Sequence, residues 1–171
     1  FNTIDVFSIE KLEVLRGSGS VQYGSDAIGG TIQTFSYEPE ITEKLLWGGT
    51  LLTRVATQGM EQSLHTAVNF SNRKAAFRAG LTARNFGDIV GGDTTGRQAP
   101  SGYQELDYNI KGKMFLAESS VLSIAYQSIH QSNVPVYHKI TLEDYAINNM
   151  DPQKRKLAYI RLNQKLNKGI L

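Results

Sequence analysis

Cysteine is absent from this 171-residue sequence, which excludes a disulfide framework and a thiolate metal site. No block of like charge is present, and the net charge of +2 selects no particular partner; a nucleic-acid-binding arm is excluded. No apolar run approaches the roughly 18 residues of a membrane helix. The opening FNTIDVFSIEKLEV has no basic start, apolar stretch or small-residue cleavage site, so it is not a signal peptide. The chain stops at Lys168-Gly169-Ile170-Leu171 inside what reads as a strand, and it is expected to be a piece of a longer protein.

What is present, from Glu43 onward, is a period of two, the spacing of strands. Between Gln104 and Leu116, Leu106, Tyr108, Ile110, Met114 and Leu116 share one face, while Glu105, Asp107, Asn109, Lys111 and Lys113 share the other. Ser63–Ser71 and Ala75–Asn85 repeat the pattern, and Leu122, Ile124 and Tyr126 alternate with small or polar residues. Lys44–Thr57 and Lys156–Leu166 complete a set of six predicted strands. Most are about ten residues long, beyond the soluble average of about five to six and close to the 9–11 that cross a bilayer at a tilt.

The predicted connections are unequal. Asn72-Arg73-Lys74 and Ala117-Glu118-Ser119-Ser120 are tight turns at one end of the sheet. At the other end lie two long polar segments, Gly87–Gly102 and Ser132–Gln153, beside a short connection at Gln58-Gly59-Met60. Outer-membrane barrels have short periplasmic turns and longer extracellular loops. The polar parity carries Arg54, Arg78, Arg84, Asp107, Lys111, Lys113 and Arg161, too many charges for a dry core. These charges imply a lumen filled by water or by a polar domain. His65, on the same parity, belongs to that polar network. Trp47, Tyr103, Tyr108, Tyr126 and Tyr159 are candidates for an interfacial aromatic girdle.

Residues 9–34 follow another pattern: a strand at Lys11–Arg16, a turn at Gly17-Ser18-Gly19, a helical turn at Ser20–Tyr23, a glycine turn at Ala27-Ile28-Gly29-Gly30, and a second strand at Thr31–Phe35. This is no phosphate loop. The Gly-Lys-Ser/Thr of a P-loop is missing, and Gln22 stands where a dinucleotide fingerprint needs glycine. The stretch resembles the plug domain of TonB-dependent outer-membrane receptors, whose consensus runs I-E-R-I-E-V-L-R-G-P, then Y-G, then A-I-G-G-V-I-N-I. Here Ile9-Glu10-Lys11-Leu12-Glu13-Val14-Leu15-Arg16-Gly17 is followed by Tyr23-Gly24 and by Ala27-Ile28-Gly29-Gly30-Thr31-Ile32-Gln33-Thr34. Ser18 replaces the usual proline and Gln33 the usual asparagine.

The resemblance implies a mainly β fold: the C-terminal part of a plug domain in residues 1–40, then in 41–171 about six antiparallel strands of an incomplete transmembrane β-barrel, of about 22 strands in the family. It implies a bacterial outer-membrane importer with no enzymatic activity and no cofactor. Energy would come from TonB, acting through an N-terminal part that is not in this chain. Iron–siderophore complexes or haem are the expected cargo. Glu10, Glu13 and Arg16 are expected to contact the barrel wall, with Gly17, Tyr23, Gly24, Gly29 and Gly30 shaping the plug motif. Ligand contacts would come from the long loops. Tyr137, His138 and Tyr145 are the candidates there, and Val134-Pro135-Val136-Tyr137 resembles a Val-Pro-x-Tyr segment of some haem receptors. The alternatives are a soluble β-rich adhesion module and a passive porin-like channel. Six strands cannot close a barrel, so these residues alone are not expected to form a native pore.

Overall fold

The structure is a computed structural model that describes residues 4–165 apart from 18 and 28. Asp5–Glu38 forms one compact unit and the chain from Pro39 onward another. The readings placed on Ser18, Ile28, Leu166 and the last residues fall outside the described set.

The small unit opens on a 3-10 turn, Val6–Ser8, capped by the buried Asp5. Its Oδ1 accepts from the Phe7 amide at 3.0 Å, and its carbonyl accepts from Ser8 Oγ at 2.7 Å. Strand β1 (Ile9–Arg16) then pairs antiparallel with β2 (Gly30–Ser36), in a register running from Ile9–Ser36 to Arg16–Gly30 and shifted once between Ile9 and Lys11. Between the strands, helix α1 (Ser20–Tyr23) is one turn held by the Tyr23 amide on the Gly19 carbonyl at 2.9 Å. Gly24 ends it at φ +97. The glycine at the start of β2 is required by contact as well as by dihedral. Gly30 has φ +148, and a Cβ there would lie 2.7 Å from the Leu15 carbonyl oxygen.

Among the described residues the large unit holds eight strands: β3 (Leu46–Val55), β4 (Gln62–Ser71), β5 (Ala75–Phe86), the short pair β6 (Ile89–Val90) and β7 (Arg97–Gln98), then β8 (Tyr103–Ala117), β9 (Ser120–Ser132) and β10 (Gln153–Gln164). Six of them form one antiparallel meander in the order β10-β9-β8-β5-β4-β3. The six strands expected from the alternation are these six, with ends moved by a few residues. The tight turns fall where expected. At the first, Asn72 Oδ1 accepts from the amides of Lys74 and Ala75, both at 2.8 Å.

Burial in this sheet is inverted relative to a soluble one. Ser63, His65, Arg78, Thr82, Glu105, Asp107 and Gln131 are buried, while Leu64, Val68, Leu81, Leu106, Ile110 and Ile160 are exposed. The register gathers each set on a single face. Arg54, Ser63, Arg84, Glu105, Gln131 and Gln153 form one cross-strand row, and Leu52, His65, Thr82, Asp107, Ile129 and Arg155 the next. The face with these rows is called inner below, and the apolar one outer. Exposing so much contiguous apolar surface to water is unfavourable, at about 25 cal/mol per Å², and monomeric soluble proteins avoid it.

Two girdle candidates change faces. Tyr159 pairs with Ala125 and Tyr103 with Phe86, both on the inner parity, and the Tyr103 and Phe86 rings stack at 4.5 Å. Strand parity, which no single aromatic reveals, decides the matter. Trp47, Tyr108 and Tyr126 are on the outer face. Trp47 meets Phe70 edge-on at 4.9 Å, and Tyr108 and Tyr126 are 5.8 Å apart.

The outer face also has a polar margin at the end of the long loops. It begins at Gln62 on β4, Asn85 on β5 and Gln104 on β8, but reaches further down β9 to Ser128 and down β10 to Lys156. The margin therefore crosses the hydrogen-bonded rows obliquely. Strands tilted against a flat apolar layer produce such an offset.

Candidate functional site

Two places carry polar chemistry in the large unit: the inner wall and the cluster of long connections at one end of it. On the wall, Arg84 Nη1 lies 3.0 Å from Glu105 Oε1, with side chains only 7% and 4% exposed. Gln131 Nε2 donates to the other oxygen of Glu105 at 2.5 Å, so three neighbouring strands are tied through one carboxylate. Arg54 Nη2 is 2.9 Å from Glu61 Oε2, and Ser63 Oγ donates to Glu61 Oε1 at 2.7 Å. One row further on, His65 Nδ1 and Thr82 Oγ1 are 2.8 Å apart, and two rows beyond that Arg78 Nη1 donates to Asn69 Oδ1 at 2.8 Å. His65 is thus part of the inner polar network expected for it. The wall is a mosaic of charges and hydroxyls, several of them paired across neighbouring strands, which offsets part of the cost of burying them.

The loop of residues 87–102 is folded, not merely polar. The β6–β7 pair closes around Gly91–Gly96, and Asp88 fastens its base: Oδ1 accepts from the amides of Ser101 at 2.8 Å and Gly102 at 3.1 Å. These two backbone hydrogen bonds hold the Asp88 carboxyl below the ordinary range of aspartate, helped by Arg97 at 4.0 Å. The Ile89 amide donates in turn to Ser101 Oγ at 2.9 Å. Neighbouring connections touch closely. The Val90 amide donates to Met60 Sδ at 3.4 Å, and a Cβ on Gly87 would collide with the Gly59 carbonyl oxygen. Sequence reading did not find this clamp, although the Gly91-Gly92…Gly96 spacing between Ile-Val and Arg-Gln is its signal.

The second long loop contains a helix that sequence reading also missed, α2 (Tyr137–Leu142). Thr141 Oγ1 donates to the Tyr137 carbonyl at 2.8 Å, and Lys139 Nζ contacts Glu143 Oε2 at 2.6 Å across one turn. That i,i+4 pair was the available signal. A bridge between Pro135 and Asn149 closes the loop. Of the three candidate ligand contacts, Tyr137 opens α2, His138 follows it and is exposed, and Tyr145 lies with its ring 5.9 Å from Lys139 Nζ. Among the described residues, no three His, Cys, Asp or Glu side chains gather as a metal site.

In the small unit the motif residues occupy one ribbon. Glu10 stands at the register shift of β1; Glu13 ion-pairs with Lys11; Arg16 ends β1 opposite Gly30. Gly17 has φ +92, Tyr23 ends α1, Gly24 turns the chain, and Gly29 precedes β2.

A sheet with a buried polar face, an exposed apolar face, tight turns at one end and long loops at the other is wall of the transmembrane β-barrel class. Residues 1–31 match the family model described as TonB-dependent Receptor Plug Domain. The matched stretch is similar to the end of such a plug, and the six-stranded sheet follows it in the chain. Comparison with curated proteins and with solved structures gives no match.

Proposed function

We propose that this chain contributes the last part of the plug, residues 1–40, and the first barrel strands, residues 41–171, of a bacterial outer-membrane receptor that imports a scarce nutrient with energy supplied through TonB. The observation that carries the reading is the coincidence of the plug match with the inverted sheet. A passive channel has no use for a plug motif, and a soluble adhesion module would bury Leu64, Leu81, Leu106 and Ile110. The finer reading is that the cargo is an iron–siderophore complex or haem, met first by the two long loops. Tyr137, His138 and Tyr145 supply phenol and imidazole donors of the kind such cargo engages, and haem or iron is here substrate and not cofactor.

Glu10, Glu13 and Arg16 are assigned to polar contacts between plug and barrel wall. Contacts of this type hold a domain yet exchange readily for water, since an exposed ion pair contributes only about 0–1 kcal/mol. No residue is assigned a catalytic role.

The reading is tested by uptake. Cells expressing the receptor should accumulate radiolabelled iron from a ferric siderophore, or grow on haem as iron source, only when TonB is present. Uptake that persists at full rate without TonB would replace it with the passive-channel reading. Absence of both iron-siderophore and haem uptake, alongside TonB-dependent uptake of cobalamin, would correct the cargo alone.

A further inference from the structure

At the end of the sheet that carries the long loops, separate stretches of backbone meet beside one thioether. The connection between β3 and β4 is a tight turn. The Ala56 amide donates to the Glu61 carbonyl at 2.8 Å and the Met60 amide to the Thr57 carbonyl at 3.2 Å, while Gln58 and Gly59 take positive φ of 59 and 74. Glu61 is fixed in turn by Arg54 and Ser63. From this held base the Met60 side chain crosses to the loop of residues 87–102, where Sδ accepts from the Val90 amide. Backbone contacts surround the link: a Cβ on Gly87 would come within 3.8 Å of Met60 Cα, and one on Gly102 would lie 2.6 Å from the Phe86 carbonyl oxygen. Asp88 fastens the loop to its own base, whereas Met60 fastens it to a different connection.

Two properties of a thioether set this link apart from the Asp88 clamp. Sulfur is a weak acceptor, so the link is readily given up. Sulfur is also oxidised by peroxides that leave carboxylates and amides unchanged. In that step a sulfur lone pair attacks one oxygen of hydrogen peroxide, and an S–O bond forms as the O–O bond breaks. Sulfur gives up two electrons, and the departing hydroxide takes the proton of the transferred oxygen and leaves as water. The flexible apolar side chain becomes a polar sulfoxide. Its oxygen needs volume and hydration at a junction that glycine-to-backbone contacts have closed. The sulfoxide therefore leaves the junction, and the Val90 amide loses its acceptor.

We infer that Met60 is a modification site for hydrogen peroxide, and that its conversion to sulfoxide releases the loop of residues 87–102 from the connection between β3 and β4. Asp88 keeps the base of the loop closed, so the loop is loosened on one side and not unfolded. The change is reversible, because methionine sulfoxide reductases restore the thioether. The inference goes beyond transport: it needs only that peroxide reaches this end of the sheet. Met150, 58% exposed in the other long loop, and Met114, on the outer face of β8, are internal controls.

The test treats the complete receptor, in lipid nanodiscs, with graded hydrogen peroxide. Peptide mass spectrometry reads oxidation at each methionine, and hydrogen exchange reads the peptides that cover residues 87–98. Oxidation of Met60 should be accompanied by about fivefold faster exchange in this loop, the effect of one net hydrogen bond, with exchange in β4 unchanged. Treatment with methionine sulfoxide reductases for both epimers should restore the slow exchange. Met60→Leu should abolish the response of the loop to peroxide, and Met150→Leu should keep it. Should Met60→Leu fail to fold, oxidation and enzymatic reduction of the unaltered receptor decide the matter. Three results would overturn the proposal: Met60 still reduced when Met150 is fully oxidised, loop exchange unchanged at full Met60 oxidation, or a peroxide response that persists in folded Met60→Leu.

Discussion

Glu105 is reached by Arg84 from one side and Gln131 from the other, all three nearly closed to solvent. Replacing it with alanine takes a carboxylate away from a buried guanidinium, a change that costs about 3–5 kcal/mol. Glu105→Ala should therefore lower the denaturant midpoint of the complete receptor far more than Arg54→Ala, whose side chain is 57% exposed; equal effects would remove the special standing of the Arg84 pair. Gly30 is the other sensitive single position. Gly30→Ala, with a Cβ driven against Leu15 and an unfavourable φ, should cost about 1–3 kcal/mol, seen as faster proteolytic nicking between β1 and β2. The glycine was legible in the sequence as a motif position, because glycine clusters mark backbone demands. The partners of Glu105 were not, because parity gives a residue its face but only the register gives it a neighbour.

Among elements, the loop of residues 87–102 has the clearest dependence on conditions. Asp88 accepts two backbone hydrogen bonds, and its carboxyl titrates below its ordinary value. A depressed pKa contributes stability that is present above the unfolded value and lost as pH falls through the folded one. Cleavage of this loop by an acid-active protease should thus rise only below the usual aspartate range. Asp88→Asn should be cleaved faster already at neutral pH, and identical cleavage of the two proteins would show the clamp to be idle. The strands themselves were legible almost throughout, since length, alternation and tight turns all pointed to the same six segments. Helix α2 and the β6–β7 pair were not, because short elements inside polar loops depend on single contacts such as Lys139 to Glu143 and leave no period to read. The outer face makes a further demand on the strands. Leu81→Arg, placed mid-strand on that face, should cost about 2–4 kcal/mol in lipid. A variant of unchanged stability in liposomes would contradict lipid contact there.

For the whole molecule, the governing fact is that six strands make an open sheet with β3 and β10 at its edges. Unpaired edge groups are not tolerated in hydrocarbon. The 171 residues by themselves are expected to give no stable conductance in planar bilayers and no uptake in cells; a discrete, reproducible channel from this polypeptide would refute that. The likeness to a plug was readable from residues 9–34, and the barrel-like sheet from its alternation and uneven loops, whereas a cargo was not, because loop side chains follow no spacing rule that names a ligand.

The strictly sequential order of those strands has a consequence for how such a wall is made. Every partner in the meander is the next main strand along the chain, so each hairpin can form from segments that are neighbours in synthesis, with little loop-closure entropy to overcome. A sheet wired this way can lengthen one strand at a time at its newest edge, while β3 stays open at the other. The two slowest closures are those across residues 87–102 and 133–152, and in each the loop carries its own small folded element to bring the strand ends together.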